Sequence, residues 1–419
     1  MDQICVCGPM PMGMGMLRVN DGSSLNPLTI KSPSIFVLLG ISMGSFVALG
    51  LARLAYSLLV PTIREEIGWS YETIGWIGTT MTTGYLVGAL VAPLIVSRIG
   101  SRETYGLGFV LTTIGLFATG FTTNLAAVLV LRFVCGFSTA LIFVIGSTLI
   151  AASSPTPSRA RLGMTLYLGC GGLGMVLTAT TIPFIADVAG WIGGWSAIGA
   201  FAALAAVITL PATLAAKTPP AQVAFGFNGI WIKPSDFLWP TCVSYTLFGA
   251  GYLAFATFVV AYLRFRLNFS SYEIAFYWGI CGFAGMVSSF AWLPILARVS
   301  GGNGIAILNL CSASGAALVL IAHSRTAAFM SAALFGLSFL MVAAAVLNFA
   351  RRSTHPSDLT RTVSLLTVCF SIGQCVGPTV AGIVADRGYG IEGGIGGAIF
   401  LLLLATLSAW KQREPSLAT

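Results

Sequence analysis

Charge is what this chain has least of. Only 8% of its 419 residues are Asp, Glu, Lys or Arg, where an average soluble domain carries about 25%. With 56% of the residues hydrophobic, the composition is that of a polytopic membrane protein. The formal net charge of +8 does not call for nucleic acid, because the basic residues form no clustered patch and no recognisable nucleic-acid module. Cysteine offers no framework either. Cys135, Cys170, Cys242, Cys281, Cys311, Cys369 and Cys375 stand singly in apolar segments, and only Cys5 and Cys7 lie close together, so neither a disulfide set nor a zinc site is expected. Catalytic patterns are missing as well. No lysine follows a glycine as a phosphate loop requires, and neither His-Glu-x-x-His nor Gly-x-Ser-x-Gly occurs, so ATP-driven pumping, enzymatic hydrolysis and a bound cofactor or metal are not expected. Residues 1–32 lack a basic stretch followed by an apolar one, so they read as a disordered tail and not as a cleavable signal peptide.

What is present is a series of apolar runs, each near the 20 or so residues that cross a bilayer as a helix. Twelve are predicted, with cores at 35–60, 72–97, 103–121, 125–152, 162–186, 192–215, 237–263, 272–297, 304–322, 327–349, 362–385 and 393–410, separated by Gly, Ser and Pro. The longest polar connection, 217–236, divides an N-terminal half (33–216) from a C-terminal half (237–410), with 411–419 as a closing tail. Most of the 21 Lys and Arg fall on the side that holds both ends of the chain, so both termini are expected in the cytoplasm and the chain in the cytoplasmic membrane. The halves repeat. A shift of 199 sets Gly50 on Gly249, Gly174 on Gly373 and Ala186-Asp187 on Ala385-Asp386, and a shift of 200 sets Ser70 on Ser270, Arg98 on Arg298 and Gly136 on Gly336. Two parallel six-helix halves related by an axis along the membrane normal follow.

Two arginines break the apolar pattern. Arg53 and Arg132 lie inside the first and fourth spans, each about 9 Å from the middle of its own span and on the same side of it. Burying such a charge costs at least about 2.5–3.5 kcal/mol, so its partner has to be found. The 13 carboxylates of the chain all fall in tails, loops or span ends, so no acid stands at the depth of either arginine. Arginine forms planar bidentate bonds with carboxylate or phosphate, so an anionic small-molecule substrate could supply the missing charge. The alternative is capping by backbone carbonyls, Tyr or Ser groups and water. Tyr56, one turn from Arg53, is expected on the same face. The repeat-equivalent positions in the seventh span carry Tyr252 and Phe255, which suggests a solute with one charged end and one apolar or aromatic body. Tyr277, Asn348 and Gln374 are further candidate contacts.

Several segments resemble the major facilitator superfamily. Pro93-x-x-x-Ser97-Arg98-Ile99-Gly100-Ser101-Arg102 is similar to the motif after that family's second helix, with Ser97 where the motif has its acid. Arg132-Phe-Val-Cys135-Gly136-Phe-Ser138 resembles the fourth-helix segment, and Gly373-Gln-Cys-Val-Gly377-Pro378 a Gly-x-x-x-Gly-Pro motif. Gly50-x-x-Arg53-Leu-Ala-Tyr56-x-x-Leu59-x-Pro61 resembles the first helix of its bacterial YbfB/YjiJ-like branch. The resemblance implies the twelve-helix fold, a central cavity lined by the first and fourth helices, and alternating-access transport of a small solute. It makes Arg53, Tyr56, Arg132, Ser138, Tyr252, Phe255, Tyr277, Asn348 and Gln374 candidate substrate contacts. Arg98, Gly100, Arg102, Gly373, Gly377, Pro378, Asp386 and Arg387 become candidate gating or packing residues. An organic anion such as a carboxylate is the expected cargo. An exporter of amphipathic compounds and a non-transporting membrane sensor are the competing readings.

Overall fold

The computed structural model describes residues 35–154, 156–218, 237–296, 298–354 and 359–413. The tail 1–32, nearly all of the 217–236 connection and the last residues of 411–419 lie outside the described residues. The rest is helical, as a chain in lipid must be when no water is available to satisfy its backbone. We label the helices α1 (Ile35–Ile67), α2 (Tyr71–Ile99), α3 (Ser101–Gly120), α4 (Leu125–Ala152), α5 (157–189), α6 (191–215), α7 (Trp239–Phe265), α8 (Ser271–Leu296), α9 (Asn303–Ala322), α10 (Arg325–Ser353), α11 (Leu359–Val384) and α12 (Gly390–Trp410).

Among the described residues, eight stretches meet a strict length and apolarity test for crossing a membrane, or nine counting α8. Two of the eight, Ser158–Ala215 and Arg361–Trp410, are each long enough for two spans and are broken near the middle. Gly190 (φ 60°, ψ −154°) separates α5 from α6, a conformation that a side chain would resist. Gly388 (φ 97°) and Gly390 (φ 64°) separate α11 from α12. Helix α8 bends by 48° between Ser288 and Phe290, close to its internal Pro294. Helix α3, of 20 residues, is less apolar because four threonines interrupt it, and it completes the twelve. Elsewhere the helices start on side-chain caps: Ser70 accepts from the Thr73 amide (3.1 Å), Asn124 from Ala127 (3.1 Å) and Ser324 from Ala327 (3.2 Å).

The internal repeat appears as duplicated contacts. Thr112 and Ser138 share a hydrogen bond of 2.7 Å between α3 and α4, and Ser312 and Ser338, 200 residues on, share one of 2.7 Å between α9 and α10. A Cβ on Gly136 would overlap the Met81 carbonyl oxygen of α2, and one on Gly336 the Cys281 carbonyl oxygen of α8. Small residues at these crossings let the backbones touch.

The halves meet where α2 crosses α11 and α5 crosses α8. A Cβ on Gly75 would press on the Pro378 carbonyl oxygen, 2.5 Å away, and Thr79 and Thr379 hydroxyls lie 2.8 Å apart. Phe184 and Tyr272 rings pack at 4.8 Å. These contacts sit toward the face that carries the α1–α2 turn, which we call the closed face. On it two aspartates act as a symmetric clasp. Asp386, just past α11, accepts from the Tyr71 and Glu72 amides (3.2 and 2.7 Å) that open α2. Asp187, near the end of α5, accepts from Arg264 (3.1 Å) and from the Ser271 hydroxyl that opens α8. A carboxylate at a helix N-terminus meets unpaired amides and the positive end of the helix dipole.

Gly136→Leu and Gly336→Leu are expected to cost about 1–3 kcal/mol each by overpacking. Both should lower the melting temperature of the purified protein, whereas Gly106→Ala and Gly279→Ala, whose surroundings are open, should not. A Gly136→Leu protein as stable as its parent would contradict the close α2–α4 crossing.

Candidate functional site

Helix α1 is not a uniform α-helix. From Phe46 to Leu54 it winds as a π-helix, returning to α-geometry at Ala55. The wider turn carries Arg53, and such segments recur at functional sites. The change of winding also separates the faces of Arg53 and Tyr56, which an unbroken α-helix would have aligned.

The two arginines reach different surroundings. Arg132 is fully buried and donates through Nη2 to the Ala52 carbonyl oxygen (2.9 Å) and to the Met81 sulfur (2.6 Å). Its guanidinium carbon sits 5.3 Å from the centre of the Tyr56 ring and 4.9 Å from that of Trp195. Nε and Nη1 have no hydrogen-bond partner. Two desolvated cation–π contacts of about 2 kcal/mol each, with a charged hydrogen bond of roughly 1.5–3 kcal/mol, go far to offset the several kcal/mol of burying this cation. Arg53 is half-buried. It has one ring beneath it, Tyr85 at 5.5 Å, and its Nε and Nη2 are buried without partners. The larger deficit is therefore at Arg53. The described ion pairs, Arg264 with Asp187, Arg266 with Glu392 and Arg325 with Glu273, all lie at the closed face and leave both arginines without an acid.

The second half presents aromatic rings around Tyr252. Tyr85, on α2 one turn beyond Thr82, lies 5.5 Å from the Arg53 guanidinium. Gln374 of α11 donates through Nε2 to the Tyr252 hydroxyl (2.8 Å), and its backbone carbonyl accepts from Thr82 of α2 (3.4 Å). Tyr252 stacks on Phe248 (5.3 Å), Phe370 (5.9 Å) and Phe339 (6.0 Å). Arg53 is thus linked through Tyr85 and Thr82 of α2 to Gln374 and Tyr252.

The other candidates lie elsewhere. Tyr56 turns from Arg53, donates to the Ile74 carbonyl oxygen (2.8 Å) and packs on Trp195. Ser138 faces α3 through Thr112. Tyr277 is buried within the second half, its hydroxyl 3.4 Å from Ser331. Phe255 is buried beneath the array against Phe335 (4.7 Å). Asn348, one turn before Arg352 at the far end of α10, lines with Leu296 and Phe349 a cavity of about 20 Å³, room for one water and not for a solute.

Of the gating and packing set, Gly373 and Gly377 bring α11 onto the backbone of α7 at Thr246 and Ala250, while Pro378 bears on Gly75 of the other half. Gly100 (φ 93°) turns the chain between α2 and α3, and Arg102 donates to the Ala216 carbonyl oxygen. Arg98 and Arg387 are exposed. Tyr85, Phe339 and Phe370 were not among the sequence candidates. The repetition of Gly75, Gly78, Thr79, Thr82 and Tyr85 at helical spacing was the available signal for Tyr85, since it marks one small and polar face of α2.

Residues 45–408 match the family described as "Uncharacterised MFS-type transporter YbfB". The chain belongs to this major facilitator family. It is 24% identical over 347 residues (79% of this chain, 84% of the relative) to NiaP of Bacillus subtilis (strain 168), named as a niacin/nicotinamide transporter. It is 27% identical over 175 residues (41% and 44%) to the MFS-type transporter YcaD of Escherichia coli (strain K12). Among solved structures it is similar to a bacterial homologue of the human lysosomal transporter Spinster in an inward-facing, unoccupied conformation (TM-score 0.72, 14% identity, 92% of this chain and 99% of that one). It is also similar to the nucleoside transporter NupG (TM-score 0.67, 14% identity, 89% and 97%). At such identities the structural likeness carries the fold alone. The chain is a multi-pass membrane protein of a transporter family.

In a background without the native cysteines, Arg53→Cys should react readily with a water-soluble methanethiosulfonate reagent. Arg132→Cys should react on the order of tenfold or more slowly, because only an accessible thiolate is a nucleophile. Equal labelling rates would contradict the enclosed setting of Arg132.

Proposed function

We propose that this protein is a secondary transporter that moves a small organic anion, such as a carboxylate, across the cytoplasmic membrane by alternating access. The observation that carries the proposal is Arg53, a half-buried residue that makes no hydrogen bond among the described residues, its buried Nε and Nη2 without partners, with no carboxylate at its depth. A substrate carboxylate would satisfy both nitrogens in a bidentate bond and remove most of the cost of the buried charge. Tyr252 and Gln374 of the second half, linked to it through Tyr85 and Thr82 of α2, would let the same solute touch both halves, as a carrier requires. Arg132 holds α1, α2, α4 and α6 together behind this site.

The distribution of basic residues favours both termini in the cytoplasm, and the closed face is then the outer one. Asp187 and Asp386 then belong to the outer gate, each reaching from one half to the start of a helix in the other. With no acid within the membrane, coupling through a buried carboxylate is disfavoured. Uniport, exchange, or symport with the proton carried on the substrate's own carboxylate fits better. The ring array beside Tyr252 favours a second reading, export of amphipathic compounds, in which Arg53 would be dispensable.

Uptake into proteoliposomes across anions, cations and neutral solutes separates the two. For an anionic solute, Arg53→Gln should lower affinity roughly 10- to 100-fold, the loss of a charged bidentate hydrogen bond, and Arg53→Lys should restore it only in part. Transport of cations or neutral solutes that is indifferent to Arg53→Gln would overturn the anion reading.

The clasp gives a further expectation. Exposed latches contribute little individually, so Asp187→Ala with Asp386→Ala should shift the outer gate several-fold toward opening and not lock it open. Spin labels on the α3–α4 and α9–α10 turns should report a larger population of long distances. An unchanged distribution would remove the two aspartates from the gate.

A further inference from the structure

The rings on the second half form an ordered array. Tyr245, Phe248, Tyr252 and Phe370 come from α7 and α11, and the measured pairs among them have ring planes within 7–17° of parallel at centroid separations of 4.6–6.3 Å. Phe339 of α10 continues the array at 20° to Tyr252. Aromatic cores more often mix tilted and edge-on contacts, and a shared ring orientation is the arrangement that receives another flat ring in offset stacking at 4.5–7 Å. Tyr245, Phe248, Tyr252 and Phe339 are all at most 8% exposed. Phe370 alone is half-buried, so it is the most accessible ring of the array.

The orientation is held from outside the array. Gln374 pins the hydroxyl end of Tyr252, and the backbone of Phe370 rests against Gly249, where a Cβ would overlap its carbonyl oxygen. The Gln374 backbone carbonyl accepts from Thr82, one turn before Tyr85 on α2, and Tyr85 lies 5.5 Å from the Arg53 guanidinium. One face of α2 therefore links the cation of the first half to the aromatic array of the second.

We infer that the transported anion is a planar aromatic acid, its carboxylate on Arg53 and its ring stacked against the partly exposed Phe370 beside Tyr252. This inference rests on the anion reading of Arg53 and narrows it. Phe370 becomes the residue that selects flat rings over saturated ones, and Arg53 the residue that selects acids over neutral compounds.

Three probes of similar size separate these roles when their binding to the purified full-length protein is measured by titration calorimetry: benzoate, cyclohexanecarboxylate and benzamide. Benzoate should bind about 3- to 10-fold more tightly than cyclohexanecarboxylate, the worth of one aromatic stacking contact, and benzamide should bind more weakly than benzoate. Phe370→Leu should shrink the preference for benzoate over cyclohexanecarboxylate, and Phe370→Tyr, which keeps the ring, should retain it. Arg53→Gln should weaken both acids and leave benzamide least affected. If cyclohexanecarboxylate binds as well as benzoate while both depend on Arg53, the planar-ring inference is wrong and the anion reading survives. If benzamide matches benzoate and Arg53→Gln changes neither, the anion reading itself fails. Absence of saturable benzoate binding overturns the inference directly.

Discussion

Two guanidinium groups inside a membrane, with every carboxylate of the chain at its edges, are the constraint on which the rest of the structure depends. A bilayer offers neither water nor counter-ion, so each cation has to be compensated by whatever neighbouring helices present or by something that arrives from solution. The two arginines meet this demand differently. Arg132 is compensated within the first half by a backbone carbonyl, a thioether and two aromatic faces. Both keep two nitrogens without a hydrogen-bond partner, but Arg53 has one ring against it and no hydrogen bond among the described residues. The same residue type at nearly the same depth is structural in one place and incomplete in the other.

The pseudo-symmetry explains why the incomplete one lies at the centre. The halves repeat their packing closely, down to the paired hydroxyls of Thr112 with Ser138 and Ser312 with Ser338, and down to aspartates that close the same face from opposite sides. Where the repeat is broken, chemistry is added. Arg53 and Tyr56 in α1 stand where α7 has Tyr252 and Phe255, so one side of the junction holds a cation and the other aromatic rings. The close helix crossings are the conserved frame, and the divergent residues carried on it give the site its polarity.

Much of the frame was legible in the sequence, because a run of about twenty apolar residues has few alternatives in lipid. The repeat was legible because glycines that permit backbone contact recur at nearly one offset, as Gly136 and Gly336 do. The site was only half legible. Arg53 and Tyr252 could be named from depth and from the repeat, and Gln374 from its place in the eleventh span, and the structure links the three through α2. Tyr56 could not be placed, because the π-wound stretch from Phe46 to Leu54 changes the register on which an i, i+3 argument relies. Ser138 and Tyr277 found partners within their own halves, which no single-helix pattern reveals. Phe339 and Phe370 lie 87 and 118 residues beyond Tyr252 in the chain, and their shared ring orientation is a property of the packed helices alone.

The central claim is that Arg53 holds the anion, and the most direct measurement is of the distance between them. Reconstituted protein with ¹⁵N-labelled arginine and benzoate ¹³C-labelled at its carboxyl carbon can be examined by dipolar-recoupling solid-state NMR. A carboxylate clamped by a guanidinium places its carbon about 4 Å or less from the terminal nitrogens, so the account expects strong ¹³C–¹⁵N dephasing that disappears in Arg53→Gln. Dephasing that persists in Arg53→Gln would put the anion on another arginine, and no dephasing in saturated native protein would show that Arg53 is not the anion's partner.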